Sequence, residues 1–174
     1  QTFNDYLNGN LIFLKGEKPT LEDFENHLGT IFTEVRLKQV IEFRSLDTCN
    51  FGCICNGPSF FTGLIYGSID ETYEIIKNWR KEEVMQAYLN APKLGLNATL
   101  EGKKLIDWAR IFFDLSKKGL EKRNEVNKSG KNETIYLKHI EEIIESKKTR
   151  AEMLIEQFNK TKNLNFLVNH DENF

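Results

Sequence analysis

Between residues 34 and 47 the chain reads EVRLKQVIEFRSLD, a stretch whose polar and apolar positions alternate with a period of two. In a strand such alternation sends neighbouring side chains to opposite faces. Arg36, Lys38, Val40, Glu42 and Arg44 would share one face, and Val35, Leu37, Gln39, Ile41 and Phe43 the other. The spacing predicts a single long strand, roughly 27 Å at about 3.4 Å per residue, with its odd face packed on a helical layer. The even face has two readings. It is either the wet side of an antiparallel sheet or a surface that receives anions. In the second case arginine forks match carboxylate and phosphate, lysine adds a point charge, and a carboxylate can hold a divalent cation. The pattern alone leaves both open.

Elsewhere the period lengthens to that of helices. Thr20 with Asp23 predicts an N-cap for a short helix through Leu21, Phe24 and His27. Pro58 sits where a helix can start, with FFTGLIY as its apolar body. Ser68 and Glu71 read as a capping box for a helix carrying Ile69, Tyr73, Ile76 and Trp79 on one face. A second short helix is expected near Lys81 to Leu89, with KLGLNA as a connector after Pro92. From Leu100 to about Asn124 the spacing of Leu105, Trp108, Ala109, Phe112, Leu115 and Leu120 predicts a long core-facing helix. NKSGKNE breaks it. Tyr136, Leu137, Ile140, Ile143 and Ile144 mark the next helix. Thr149 with Glu152 caps the last, whose buried face would be Ala151, Leu154, Ile155 and Phe158.

These elements predict an α+β fold, a partial antiparallel sheet followed by a mainly helical C-terminal cap. A lone strand is unstable, so a further strand is expected in residues 1–18, where LIFLKG is a candidate, or in polypeptide outside this chain. Residues 1–57 read as the strand-bearing segment, 58–162 as the helical region and 163–174 as a tail over the surface.

Composition narrows the function. With 40% hydrophobic and 29% charged residues and a formal net charge of −2, the 174-residue chain has a globular profile and no basic field for nucleic acid. No apolar run reaches the roughly 18 residues of a membrane span, and no signal-peptide pattern opens the chain. The first residue is Gln1, which suggests a piece of something longer. Cys49, Cys53 and Cys55 lie in one Gly- and Asn-rich stretch; the odd count favours reduced thiols in a cytoplasmic protein over a redox pair or a metal site. The N-x-T sequons at Asn97 and Asn132 carry meaning only in a secreted protein.

HLGTIFTEVRLKQVIEFRSLD resembles the signature segment of glutamate–cysteine ligases of the plant and proteobacterial type, members of the glutamine-synthetase-like group of carboxylate–amine ligases. PSFFTGLIYGSIDETYEIIKNW, LGLNATLEGKKLIDWA, KKGLEKR and KKTRAEMLIEQF resemble, in order, the family's later helices. The similarity runs over roughly residues 3–160. It implies a glutamine-synthetase-like sheet and joining of the γ-carboxylate of glutamate to the amine of cysteine through a γ-glutamyl phosphate, with ATP and Mg²⁺, the first step of glutathione biosynthesis. On this resemblance Glu42 is a metal ligand and Arg44 a catalytic residue that contacts phosphate or the substrate carboxylate. Arg36 and Lys38 match a basic pair that contacts phosphate or carboxylate, while Asp47 and His27 match at positions expected to be structural. Thr33 and Ser45-Leu46 depart from the plant pattern and leave another amine acceptor open. Most of the family's metal carboxylates precede this segment, and residues 1–26 hold no acidic cluster to replace them. The expectation is therefore the C-terminal part of a ligase, inactive without the missing N-terminal half. The competing expectation is a non-catalytic helical assembly module derived from the same fold.

Overall fold

The computed structural model describes residues 1–37, 39–46 and 51–168. Lys38, Asp47, Cys49 and the end of the tail lie outside the described residues. Contacts divide the chain into two units, residues 1–47 and residues 48–174.

The first unit begins with two short capped helices. In α1 (Phe3–Leu7) Thr2 and Asp5 form a capping box, and in α2 (Leu21–Gly29) Thr20 and Asp23 do the same. Each pair satisfies amide donors that the first helical turn leaves without partners. The helices meet through rings: Phe3 stacks on His27 at 4.3 Å and lies 5.7 Å from Phe24. His27 is thereby a packing residue. LIFLKG forms bends and turns, not a strand.

The charged stretch is not one long strand. It folds back on itself as β1 (Val35–Leu37) and β2 (Ile41–Phe43), antiparallel, with Val35 opposite Phe43, Arg36 opposite Glu42 and Leu37 opposite Ile41. A backbone bond from Arg44 N to Glu34 O, 2.8 Å, extends the ladder by one pair. The reversal gives each strand a partner and sets opposite charges directly across the ladder, a stabilising cross-strand pair. The two-faced alternation survives, but its burial is inverted. Leu37 is 78% exposed on the face expected to pack, whereas the Arg36 side chain on the charged face is 12% exposed.

In the second unit, α3 (Asn56–Thr62) runs into a π-helical turn (Gly63–Gly67), then α4 (Ile69–Ile76) and α5 (Lys81–Leu94). A two-residue ribbon, β3 (Thr99–Leu100) with β4 (Lys103–Lys104), leads into the long α6 (Leu105–Arg123). A 3₁₀ turn at Glu133–Leu137 precedes α7 (Lys138–Ser146), α8 (Arg150–Thr161) and α9 (Asn165–Val168). The core joins Ile106, Phe113 and Leu120 of α6 to Leu137 and to Ile144 of α7.

The π-turn packs on α6 backbone to backbone. A Cβ on Gly63 would strike the Ser116 carbonyl, one on Gly67 would strike Gly119, and one on Gly119 would strike the Gly63 carbonyl. Two buried hydroxyls bridge the same contact: Ser116 Oγ donates to Phe60 O at 2.8 Å and Ser68 Oγ to Leu115 O at 2.9 Å.

That contact explains two departures from expectation. Ser68 does not cap α4, because its hydroxyl is committed to α6, and Glu71 accepts from Lys118 Nζ instead. The buried stripe of α6 is Ile106, Phe113, Ser116, Gly119 and Leu120, rotated from the expected stripe by the need for small residues under the π-turn. Trp108 and Phe112 meet Trp79 in an aromatic cluster. The helix expected to stop near Leu89 runs on to Leu94, with Pro92 in its last turn. Thr149 and Glu152 cap α8 as expected, yet α8 has no buried residue and Ile155 on its apolar face is exposed. Among the described residues no helix is long and apolar enough to cross a membrane.

Candidate functional site

The hairpin places Arg36, Glu42 and Arg44 on one face of two paired strands. Arg36 and Glu42 sit directly opposite each other, and Arg44 follows Glu42 by one full side-chain repeat. Arg36 Nε and Nη2 both donate to Glu42 Oε2 at 2.8 Å, and Arg36 Nη1 donates to Gly29 O at 2.6 Å. Gly29 is the last residue of α2, where carbonyl groups lack intrahelical partners. One guanidinium thus ties the end of a helix to a carboxylate on the neighbouring strand.

Arg44 is held differently. Its guanidinium carbon lies 4.9 Å from the ring centroid of Phe32, a cation–π contact. Its Nη1 is buried and has no hydrogen-bond partner. An unpaired buried donor costs about 1–3 kcal/mol. An acceptor supplied to that nitrogen recovers this, and a carboxylate or phosphate oxygen fits an arginine best.

Two contributors were not among the sequence candidates. Phe32 could have been found from the aromatic in TIFTEV once the reversal was known. The Gly29 carbonyl leaves no side-chain signal. Lys38, the remaining basic candidate, lies outside the described residues.

A magnesium ion needs about six oxygen ligands in near-octahedral array. Among the described residues no group of three or more His, Cys, Asp or Glu could hold a metal, and Glu42 Oε2 already receives two arginine donors. The described residues therefore do not fit a complete magnesium site on their own.

The second unit offers different chemistry. A cavity of about 270 Å³ is lined by Lys104, Asp107, Arg110 and Lys147 among others, and none of the hairpin residues contributes to it. The expectation of reduced thiols fails at Cys53, which is disulfide-bonded; Cys55 is a free, exposed thiol. An odd cysteine count does not forbid a bridge.

The relatives agree with one another. A glutamate–cysteine ligase, chloroplastic, from Solanum lycopersicum is 36% identical over 159 residues, which is 90% of this chain and 29% of that protein. Glutamate–cysteine ligase A, chloroplastic, from Oryza sativa subsp. indica is 36% identical over 156 residues, 88% of this chain and 30% of its own length. The ligase of Arabidopsis thaliana, also named chloroplastic, is 34% identical over 160 residues. The chain thus spans somewhat under a third of the curated relatives it matches. Those names overturn the cytoplasmic expectation. It rested on the absence of a signal pattern and on thiol chemistry, neither of which distinguishes a plastid from the cytoplasm. Glutamate-cysteine ligase family 2 (GCS2) matches residues 2–170, nearly the whole chain including the hairpin, and the chain belongs to that family.

Proposed function

We propose that this chain is part of an ATP- and Mg²⁺-dependent ligase that joins the γ-carboxylate of glutamate to the amine of cysteine, with the hairpin contributing to the acyl-phosphate site. The observation that carries the reading is the family match over residues 2–170; the buried, unpartnered Arg44 Nη1 supports it. Phosphoryl transfer to a carboxylate spreads negative charge over the transferred group and the leaving diphosphate, and positioned cations supply most of the catalysis. Arg44 is the arginine of the hairpin with an open donor, and it grips a phosphate or carboxylate oxygen. Magnesium would neutralise phosphate charge when bound. Glu42 is the carboxylate that this hairpin would offer it, with the other ligands supplied from outside the described residues. Lys38 belongs to the same basic set. The plastid, where the relatives are named to reside, replaces the cytoplasm in this reading.

The test uses the full ligase polypeptide and the 174-residue chain side by side. The full polypeptide is expected to release ADP only when glutamate and cysteine are both present, and the chain alone to release none. Arg44→Ala in the full polypeptide should lower kcat/KM by about 10²–10³-fold, the loss usual for one charge-stabilising donor. Robust ADP release by the chain alone, or an unchanged Arg44→Ala enzyme, would overturn the assignment. The departures at Thr33 and Ser45-Leu46 favour keeping a second amine acceptor in the assay. Turnover with another amine and none with cysteine would move the reading to a different γ-glutamyl ligase.

A further inference from the structure

We infer that Arg36 is a positioning residue, which fixes the Glu42 carboxylate and the exit of β2 toward Arg44 and does not itself take a substrate anion. The inference rests on the ligase reading and gives Arg36 a role distinct from the anion contact that the resemblance implies.

The geometry separates the two arginines of the hairpin face. All three nitrogens of the Arg36 guanidinium donate, using three of its five N–H groups: Nε and Nη2 to Glu42 Oε2 at 2.8 Å, Nη1 to Gly29 O at 2.6 Å. The side chain is 12% exposed, against 40% for Glu42. The bidentate fork face is taken by the carboxylate, and an incoming phosphate would meet only the remaining N–H groups of a largely buried side chain or compete with a carboxylate and the negative end of a helix, each a favourable acceptor. Arg44 has the opposite condition, with a buried nitrogen that has nothing to donate to.

The Arg36 contacts also join three pieces of backbone. Gly29 ends α2, Arg36 lies on β1, and Glu42 lies directly across on β2. Rotation of the hairpin against the helix would break the Gly29 contact, and slippage of the two strands would break the Glu42 contact. Because Arg44 leaves β2 one side-chain repeat after Glu42 and bonds back to Glu34 O, the same tie sets where the Arg44 guanidinium points. A lysine at position 36 would keep the charge yet lose the planar fork that reaches both acceptors at once.

The experiment compares Arg36→Lys and Arg44→Lys in the full ligase polypeptide. Arg36→Lys is expected to lower kcat on the order of 100-fold, as misplacement of a reacting group by about 1 Å does, while KM for ATP and for glutamate stays close to wild type. Arg44→Lys is expected to raise KM for the substrate it grips. A rise in either KM on Arg36→Lys as large as the fall in kcat would mark a direct anion ligand and overturn the inference, as would an unchanged kcat.

A second readout does not depend on activity. Thermal unfolding of Arg36→Met, Glu42→Gln and the double variant forms a cycle. The tie predicts that the double variant melts no lower than the worse single variant, and additive losses would refute it. If the wild-type polypeptide ligates no amine, the ligase reading fails, while the melting cycle still decides whether Arg36 and Glu42 act as one unit.

Discussion

The second unit buries Leu64, Ile106, Phe113, Leu120, Leu137 and Ile144, whereas no described residue of the first unit is buried. The first unit instead leaves Phe13 91% and Phe32 77% exposed. It is held by helix caps, ring contacts and the Arg36 tie, all of which stabilise locally and none of which removes much apolar surface from water. The helical unit holds its own core, while the unit bearing the candidate site has an apolar hairpin face that asks for cover. The candidate site lies where the local fold is least self-sufficient, in keeping with the rule that sites and moving segments are drawn from the less stable parts of a structure.

This contrast can be broken most directly by a matched pair of substitutions in the 174-residue chain. Phe113→Ala should destabilise the helical unit by about 3–5 kcal/mol in denaturant unfolding, through lost transfer energy and the cavity left behind. Phe13→Ala in the first unit should change stability by no more than about 0.5 kcal/mol, as exposed positions do. Equal effects would mean that the two units are not built differently.

A smaller effect sharpens the account of the helical unit. Gly119→Ala forces a Cβ against the Gly63 carbonyl, and should cost about 1–3 kcal/mol as overpacking does. The melting temperature should fall and the α3–α6 amides should lose exchange protection together. A silent Gly119→Ala would refute backbone contact at the π-turn.

The smallest effect is in acid. Hydrogen bonds from Thr2 and Thr20, backbone amide first and hydroxyl second, hold Asp5 and Asp23 below the ordinary aspartate range; those from Thr149 do the same for Glu152. Since the folded values are depressed, the caps stabilise fully above the unfolded pKa and weaken as pH falls below about 4 through the folded values. The first unit has two such caps and no buried residue among those described, so as pH falls below about 4 its amides should lose exchange protection before those around Phe113 and Leu120 do. Simultaneous loss would show that the caps are not what holds it.

Much of this was legible beforehand, for particular reasons. Thr20 with Asp23 and Thr149 with Glu152 were readable as caps because a capping box is closed by residues three apart. Ser68 with Glu71 has the same spacing and fails, because a partner 47 residues away takes the hydroxyl. The hairpin was missed because Lys38-Gln39-Val40 contains no glycine, proline or asparagine to mark a reversal. The α6 stripe was placed by its large apolar residues, whereas the tightest contact selects its small ones.

By itself the sequence determined the elements closed by near neighbours, the alternation that keeps Arg36, Glu42 and Arg44 on one face, and membership of the ligase family. Those depend on short spacings and on a long ordered set of motifs. Only the tertiary structure decided that Arg36 is tied to Glu42 and Gly29 while a buried Arg44 nitrogen has no partner. A guanidinium takes whichever acceptors the folded backbone brings within about 3 Å, and that set is fixed by a chain reversal and a helix end that no local pattern announces.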